Sequence, residues 1–239
     1  MNYFGHVALA GRFSGSAEFL FGSMLPDWAG IVGCATPQCA HAAVQLGVSF
    51  HLISDAEFHQ APIFRTRVSD ICRQLESRGM RKAPARAVSH VGFELLLDAE
   101  LGKTPIHMAA FQAALRVAGP NAIGAHLKWS SRDASDRFEN LRLRLIERNS
   151  CRDFFAADRI VDRLVYTLRR RPRLCLLASE RDILREWINH HFVPAPDELV
   201  SLWVQVCERV ANRWNAPFAR TSAASQILPS CNTVQSATD

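Results

Sequence analysis

The stretch Gly47-Val48-Ser49-Phe50-His51-Leu52-Ile53-Ser54-Asp55-Ala56-Glu57-Phe58-His59 spaces His51, Asp55 and His59 at intervals of four inside a run that reads as helix. Four residues is about one helical turn, so His51 and Asp55 stack on one face as neighbours. A second stretch, His90-Val91-Gly92-Phe93-Glu94-Leu95-Leu96-Leu97-Asp98, repeats the spacing with His90, Glu94 and Asp98. Two helices that each offer an imidazole and a carboxylate one turn apart can share a divalent cation. The expected ligand set is therefore His51, Asp55, His90 and Glu94. His59 lies about 12 Å from His51 along a straight helix, which removes it from the same ion. It is left to substrate binding or to a favourable helix end. Asp98, in a leucine run, is expected behind the ligands rather than among them.

Outward from these stretches, the whole chain reads as helix. Residues 2–10 form a short apolar opening segment, and an apolar run from Ala17 to Leu25 is expected to break at Leu25-Pro26-Asp27. Such a change of direction would point Asp27 into a cavity. Thr36-Pro37 carries a cap followed by a first-position proline and is expected to start the helix that runs through His51 to about Gln60. Pro62 opens the next helix, which Ser77-Arg78-Gly79 ends, and Pro84 the one after, to about Leu101. Thr104-Pro105 repeats the cap-and-proline pattern, and Gly119-Pro120 stops that helix. Further amphipathic patterns cover Ser135–Glu147, Asp153–Arg171, Ser179–Phe192 and Pro196 to about Trp214. Gly47 and Gly92 each lie within about a turn of a key histidine. Glycine inside a helix costs about 1 kcal/mol relative to alanine, so a close helix crossing that brings His51 and His90 together is expected there.

No strand-like alternation and no internal repeat interrupts this pattern. The expected fold is all-α, a single-domain multi-helix bundle over residues 1–220, followed by a disordered tail, 221–239, rich in Ser, Thr, Ala, Gln and Asn. In 239 residues, 48% hydrophobic residues suffice for a core. A net charge of +5 leans toward an acidic or phosphate-bearing partner but is too small to suggest nucleic acid. Seven scattered cysteines without a C-x-x-C pair point to a reducing compartment. With no signal-like leader and no apolar run of about 18 residues, a cytoplasmic protein without a membrane span is expected.

Four pieces, in order, resemble the acyl carrier protein phosphodiesterase family. Met1-Asn2-Tyr3-Phe4-Gly5-His6 is similar to its M-N-[FY]-L-x-H opening, and Phe21-Gly22-Ser23-Met24-Leu25-Pro26-Asp27 to its L-G-N-x-L-x-D-F segment. Residues Gly47 to Asp55 resemble its G-I-x-x-H-R-x-I-D stretch, and Arg170-Arg171-Pro172-Arg173-Leu174 a basic R-R-P-R-L run. The resemblance implies an all-helical fold related to HD-type phosphohydrolases. It also implies Mn²⁺-assisted hydrolysis of the phosphodiester that joins 4′-phosphopantetheine to holo-acyl carrier protein; Mg²⁺, Fe²⁺ or Zn²⁺ would also suit the ligand set. Asp27 would be a further ligand or would orient the attacking water as general base, and His6 would ligate or protonate the leaving alkoxide. Arg170, Arg171 and Arg173 would meet phosphate or the acidic carrier protein.

The chain departs from the family pattern at three places. Ser49 stands where the family often has a histidine, Leu52 where it has a basic residue, and His90-Val91-Gly92-Phe93-Glu94-Leu95 where it has D-x-x-x-D-H. A divergent branch is implied. Hydrolysis of another phosphoester such as a nucleotide, or carrier-protein binding without turnover, are the alternatives.

Overall fold

The computed structural model describes residues 1–148, 157–169, 171–191 and 196–218. Among them are ten α-helices and one 3₁₀ turn, with no strand. The all-α expectation is met. Arg170, residues 153–156 of the expected Asp153–Arg171 pattern, Phe192 and the expected tail at 221–239 lie outside the described residues.

Helix α1 (Tyr3–Ala10) is buried along its entire length, and the Asn2 side chain caps it by accepting from the Tyr3 N–H. Helix α2 (Ala17–Val32) starts at Ser16, whose Oγ accepts from the Phe19 N–H, and stops at Gly33, where φ of 76° favours glycine. Pro26 does not break it. Proline inside a helix costs about 3 kcal/mol, and α2 offsets that by its position at the centre of the bundle. It packs along α3 and against α1, α6 (Pro105–Val117) and α7 (Arg132–Arg148).

Helix α3 spans Ala42–Gln60, so it begins six residues after the expected Thr36 cap. The reason is a pairing across the chain. The backbone of Gln38 accepts from the Lys128 N–H at 2.8 Å and donates to the Lys128 carbonyl at 3.3 Å. Those groups are the ones a helix starting at Thr36 would have used.

Helices α4 (Pro62–Ser77) and α5 (Lys82–Leu101) pair with each other, and α8 (Ala157–Leu168) rests on α5 and pairs with α9 (Ala178–His191). Helix α10 (Pro196–Phe218) lies across α3, α4 and α5. The buried Glu57 of α3 holds it there through Arg209 and Arg213, each at 2.7 Å. Buried apolar residues from α1 to α10 form one contiguous cluster. No described helix is long and apolar enough to cross a membrane.

The closest helix contact positions the site. A Cβ added to Gly47 would stand 2.2 Å from the Phe19 carbonyl oxygen and 2.8 Å from the Gly22 Cα. One added to Gly22 would stand 2.3 Å from the Val44 carbonyl oxygen. The backbones of α2 and α3 therefore touch at these two glycines. Gly47 does mark a close crossing, as expected, but its partner is α2 rather than the helix carrying His90.

Candidate functional site

Three helices bring the buried part of the site together. From α1 comes His6, from α2 Asp27, from α3 His51, and one ligand atom of each lies within 4.8 Å of the others. The His6 and His51 rings lie against each other with a tilt of 35°, centroids 3.9 Å apart. Because α2 and α3 touch, the Ser23 carbonyl reaches the His51 side chain and accepts from Nδ1–H at 2.8 Å. A carbonyl only accepts, so His51 carries its proton on Nδ1 and its lone pair on Nε2. The same deduction holds for His6. Ser54 Oγ donates to the His51 carbonyl at 3.0 Å, so it accepts the Nδ1–H of His6 at 2.8 Å.

Both lone pairs thus face carboxylate oxygens. His51 Nε2 is 3.9 Å from Asp27 Oδ1; His6 Nε2 is 3.9 Å from Asp27 Oδ2 and 3.5 Å from Asp55 Oδ1. His6 Nε2 and Asp27 Oδ2 are buried without a hydrogen-bond partner. Lone pairs and anions converging at these separations repel in a poorly solvated site unless a cation lies between them. Ligand atoms of one ion bound at about 2.1 Å are themselves about 3.0–3.5 Å apart. The donor set fits a divalent cation, and the hydrogen bonds on both Nδ1 atoms are the kind that orient ligating imidazoles.

Electrostatics agree with that arrangement. Burial, reinforced by the neighbouring His51, pushes His6 down to about 3, and burial also lowers His51. Both imidazoles are neutral near pH 7, the form a metal requires. His6 therefore has no second proton to give a leaving alkoxide near neutrality, so ligation suits it better than the expected acid role. Burial pushes the Asp27 carboxyl up to about 7.

A second group stands nearer the surface. His59 from α3 joins His90 and Glu94 from α5. Glu94 Oε1 is 3.1 Å from His90 Nε2 and 3.3 Å from His59 Nε2, and the two Nε2 atoms are 3.0 Å apart. The rings are stacked at 4.8 Å, with Phe64 edge-on to both.

Asp55 lies between the groups, with Oδ2 3.1 Å from His59 Nδ1 and Oδ1 turned to His6. The Met1 α-ammonium donates to Asp55 Oδ1 and Glu94 Oε1, each at 3.1 Å. Burial opposes ionisation of Asp55 and Glu94. Bonding to His59 and the Met1 ammonium outweigh it and hold both carboxyls well below their usual range. Burial also works against a charged His59, yet Asp55 and Glu94 raise it to about 9.

The expected ligand set is thus divided. His51 falls with His6 and Asp27, His90 and Glu94 fall with His59, and Asp55 joins the two. His59 stands apart from the His51 group. Its real neighbours lie across the bundle on α5, which no spacing within α3 can reveal. Asp98 sits behind the ligands, as expected. It is buried, accepts from Asn2 Nδ2 at 2.8 Å and from the Gly5 N–H at 3.0 Å, and so pins the first turn of α1 one residue before His6. Ser54, which sets the His6 tautomer, carries no signal in the sequence. Arg171 and Arg173 are exposed in the loop between α8 and α9.

No family model, no curated protein and no solved structure matches the chain.

Proposed function

We propose that the protein is a metal-dependent phosphodiesterase whose reacting centre is the His6–Asp27–His51 group with Asp55. One observation carries this reading: two buried imidazoles, each fixed through Nδ1, aim their Nε2 lone pairs at carboxylate oxygens 3.5–3.9 Å away. Within this set His6 Nε2 and Asp27 Oδ2 are buried and have no hydrogen-bond partner. A divalent cation held there supplies an acidified water and a counter-charge for phosphoryl oxygens.

The chain's own groups do the rest. His6 and His51 offer neutral nitrogen and add no charge, while Asp55 offers an ionised oxygen. Asp27 is partly open to solvent and would take the proton from an attacking water as general base. The site grades from buried at His6 to open at His90, so a phosphoester approaches from the His59–His90 side.

The choice of holo-acyl carrier protein as substrate, with Mn²⁺ as the cation, rests on the four-piece resemblance. Release of 4′-phosphopantetheine by water would leave apo-protein. The exposed Arg171 and Arg173 suit an acidic carrier surface. Mass spectrometry of holo-acyl carrier protein after incubation with the protein and Mn²⁺ is expected to show loss of the pantetheine arm, abolished by His51→Ala. An intact arm beside hydrolysis of bis(4-nitrophenyl) phosphate would keep the chemistry and overturn the substrate. No hydrolysis of either, or hydrolysis unaffected by His51→Ala, would overturn the centre itself.

A further inference from the structure

The His59–His90–Glu94 group is not needed to complete the centre just described, and its geometry is that of a separate ligand set. His59 Nε2, His90 Nε2 and Glu94 Oε1 form a triangle with edges of 3.0, 3.1 and 3.3 Å. Atoms bound to one first-row metal at about 2.0–2.2 Å are spaced about 3 Å apart when they occupy adjacent positions of a six-coordinate ion.

A second observation comes from outside the triangle. Asp55 Oδ2 accepts from His59 Nδ1–H at 3.1 Å, so Nε2 is the nitrogen that His59 turns to His90 and Glu94, and a cation bound there would take the place of its proton. Carboxylate–imidazole pairs of this kind orient a ligating histidine and raise its basicity. Access is not limiting: the His90 side chain is 40% exposed and that of His59 30%.

We propose that His59, His90 and Glu94 bind a second divalent cation, and that Asp55 couples it to the first by offering Oδ1 to the His6 side and orienting His59 through Oδ2. Two imidazoles and one carboxylate on one side of the ion leave its other positions to water or to a phosphoryl oxygen. The class of ion is that of mixed nitrogen–oxygen sites, Mn²⁺, Fe²⁺ or Zn²⁺, rather than Ca²⁺. This inference rests on the phosphodiesterase reading for its use but not for its test.

The test is metal stoichiometry on the full chain, by equilibrium dialysis against Mn²⁺ followed by elemental analysis, with low-temperature electron paramagnetic resonance for coupling between ions. The expected result is two Mn²⁺ per chain with spin–spin coupling. His90→Ala and the double variant His59→Ala/His90→Ala should retain one Mn²⁺ with an uncoupled spectrum. His51→Ala should lose the other ion. Asp55→Asn should weaken the second ion about 10–100-fold, the range for removing a partner behind a ligating histidine. Unchanged thermal melting of His90→Ala, a half-buried position, excludes general unfolding as the cause of loss.

One Mn²⁺ in the wild type that is lost with His51→Ala and kept in the double variant would overturn the second site and leave the first centre standing. Two ions surviving in the double variant would overturn it as well. No bound Mn²⁺ in any form would remove both readings at once.

Discussion

Gly47→Ala is the perturbation that connects helix packing to the candidate centre most directly. By helix propensity alone the change should stabilise α3 by about 1 kcal/mol. The new methyl, however, would stand 2.2 Å from the Phe19 carbonyl oxygen and 2.8 Å from the Ser23 backbone nitrogen. The neighbours are backbone, not flexible side-chain ends, so the two helices must separate by about 1 Å to reach ordinary contact. Overpacking of this kind costs about 1–3 kcal/mol, and occasionally more. Separation also strains the 2.8 Å bond between the Ser23 carbonyl and His51 Nδ1–H. Leaving that buried carbonyl unsatisfied costs about 1–3 kcal/mol more. Against the propensity gain, the net destabilisation comes to roughly 1–5 kcal/mol.

Urea unfolding followed by far-ultraviolet circular dichroism at pH 7.5 measures it. The variant should unfold at clearly lower urea with an unchanged slope, and the ion that depends on His51 should bind at least about tenfold more weakly, since a displaced ligand costs 1.4 kcal/mol or more. A variant as stable as the wild type, or more stable, with undiminished binding at the His51 side, would refute the backbone contact between α2 and α3 and the His51 geometry derived from it.

Asp98→Ala should cost about 2–3 kcal/mol in the same urea assay, because it strands the buried Gly5 N–H and frees the Asn2 side chain. It should also weaken Mn²⁺ at the His6 side by releasing the first turn of α1, while wild-type affinity there would show that Asp98 positions nothing. Glu180, which accepts from Arg81 Nε at 2.8 Å, is held down to about 2 chiefly by that guanidinium. A depressed carboxyl stabilises the fold above its unfolded value near 4.5 and loses that contribution as pH falls through about 2. The stability gap between wild type and Glu180→Gln should therefore be constant above pH 4.5 and close toward pH 2 in urea titrations across that range; a gap that widens on acidification contradicts the pairing. Leu52→Arg, at a side chain 64% exposed, should change the melting temperature by less than about 2 °C, as surface substitutions stay within about 0.5 kcal/mol. A larger loss would show that Leu52 is covered.

Helix content, and most helix boundaries after Gln60, were legible because proline at first positions and apolar periodicity are local signals. α4 begins at Pro62 and α6 at Pro105, both as expected. The failures came where a distant segment overrode a local preference. Pro26 lies inside α2 because the helix is held on several sides, and Thr36-Pro37 does not start α3 because Gln38 is paired with Lys128. The ends of helices show the same limit: α10 runs on to Phe218, past the expected end near Trp214.

For the site, the i, i+4 rule paired His90 with Glu94, which do meet at 3.1 Å, and His51 with Asp55, whose direct i, i+4 contact is instead with His59. It could not say which face of α3 meets which helix. Side chains one turn apart share a face, but whether they share a ligand depends on what crosses that face. The Gly22–Gly47 contact brings α2, and with it Asp27 and the Ser23 carbonyl, to His51. One turn and two turns further on, α3 has passed to α5, so Asp55 lies at the border and His59 belongs with His90 and Glu94. The chemistry of the donors was set by residue identity alone. Their division into two groups, and the proton positions that turn the Nε2 lone pairs of two histidines toward carboxylates, were set by helix crossings and by Ser23 and Ser54, which only packing brings into range.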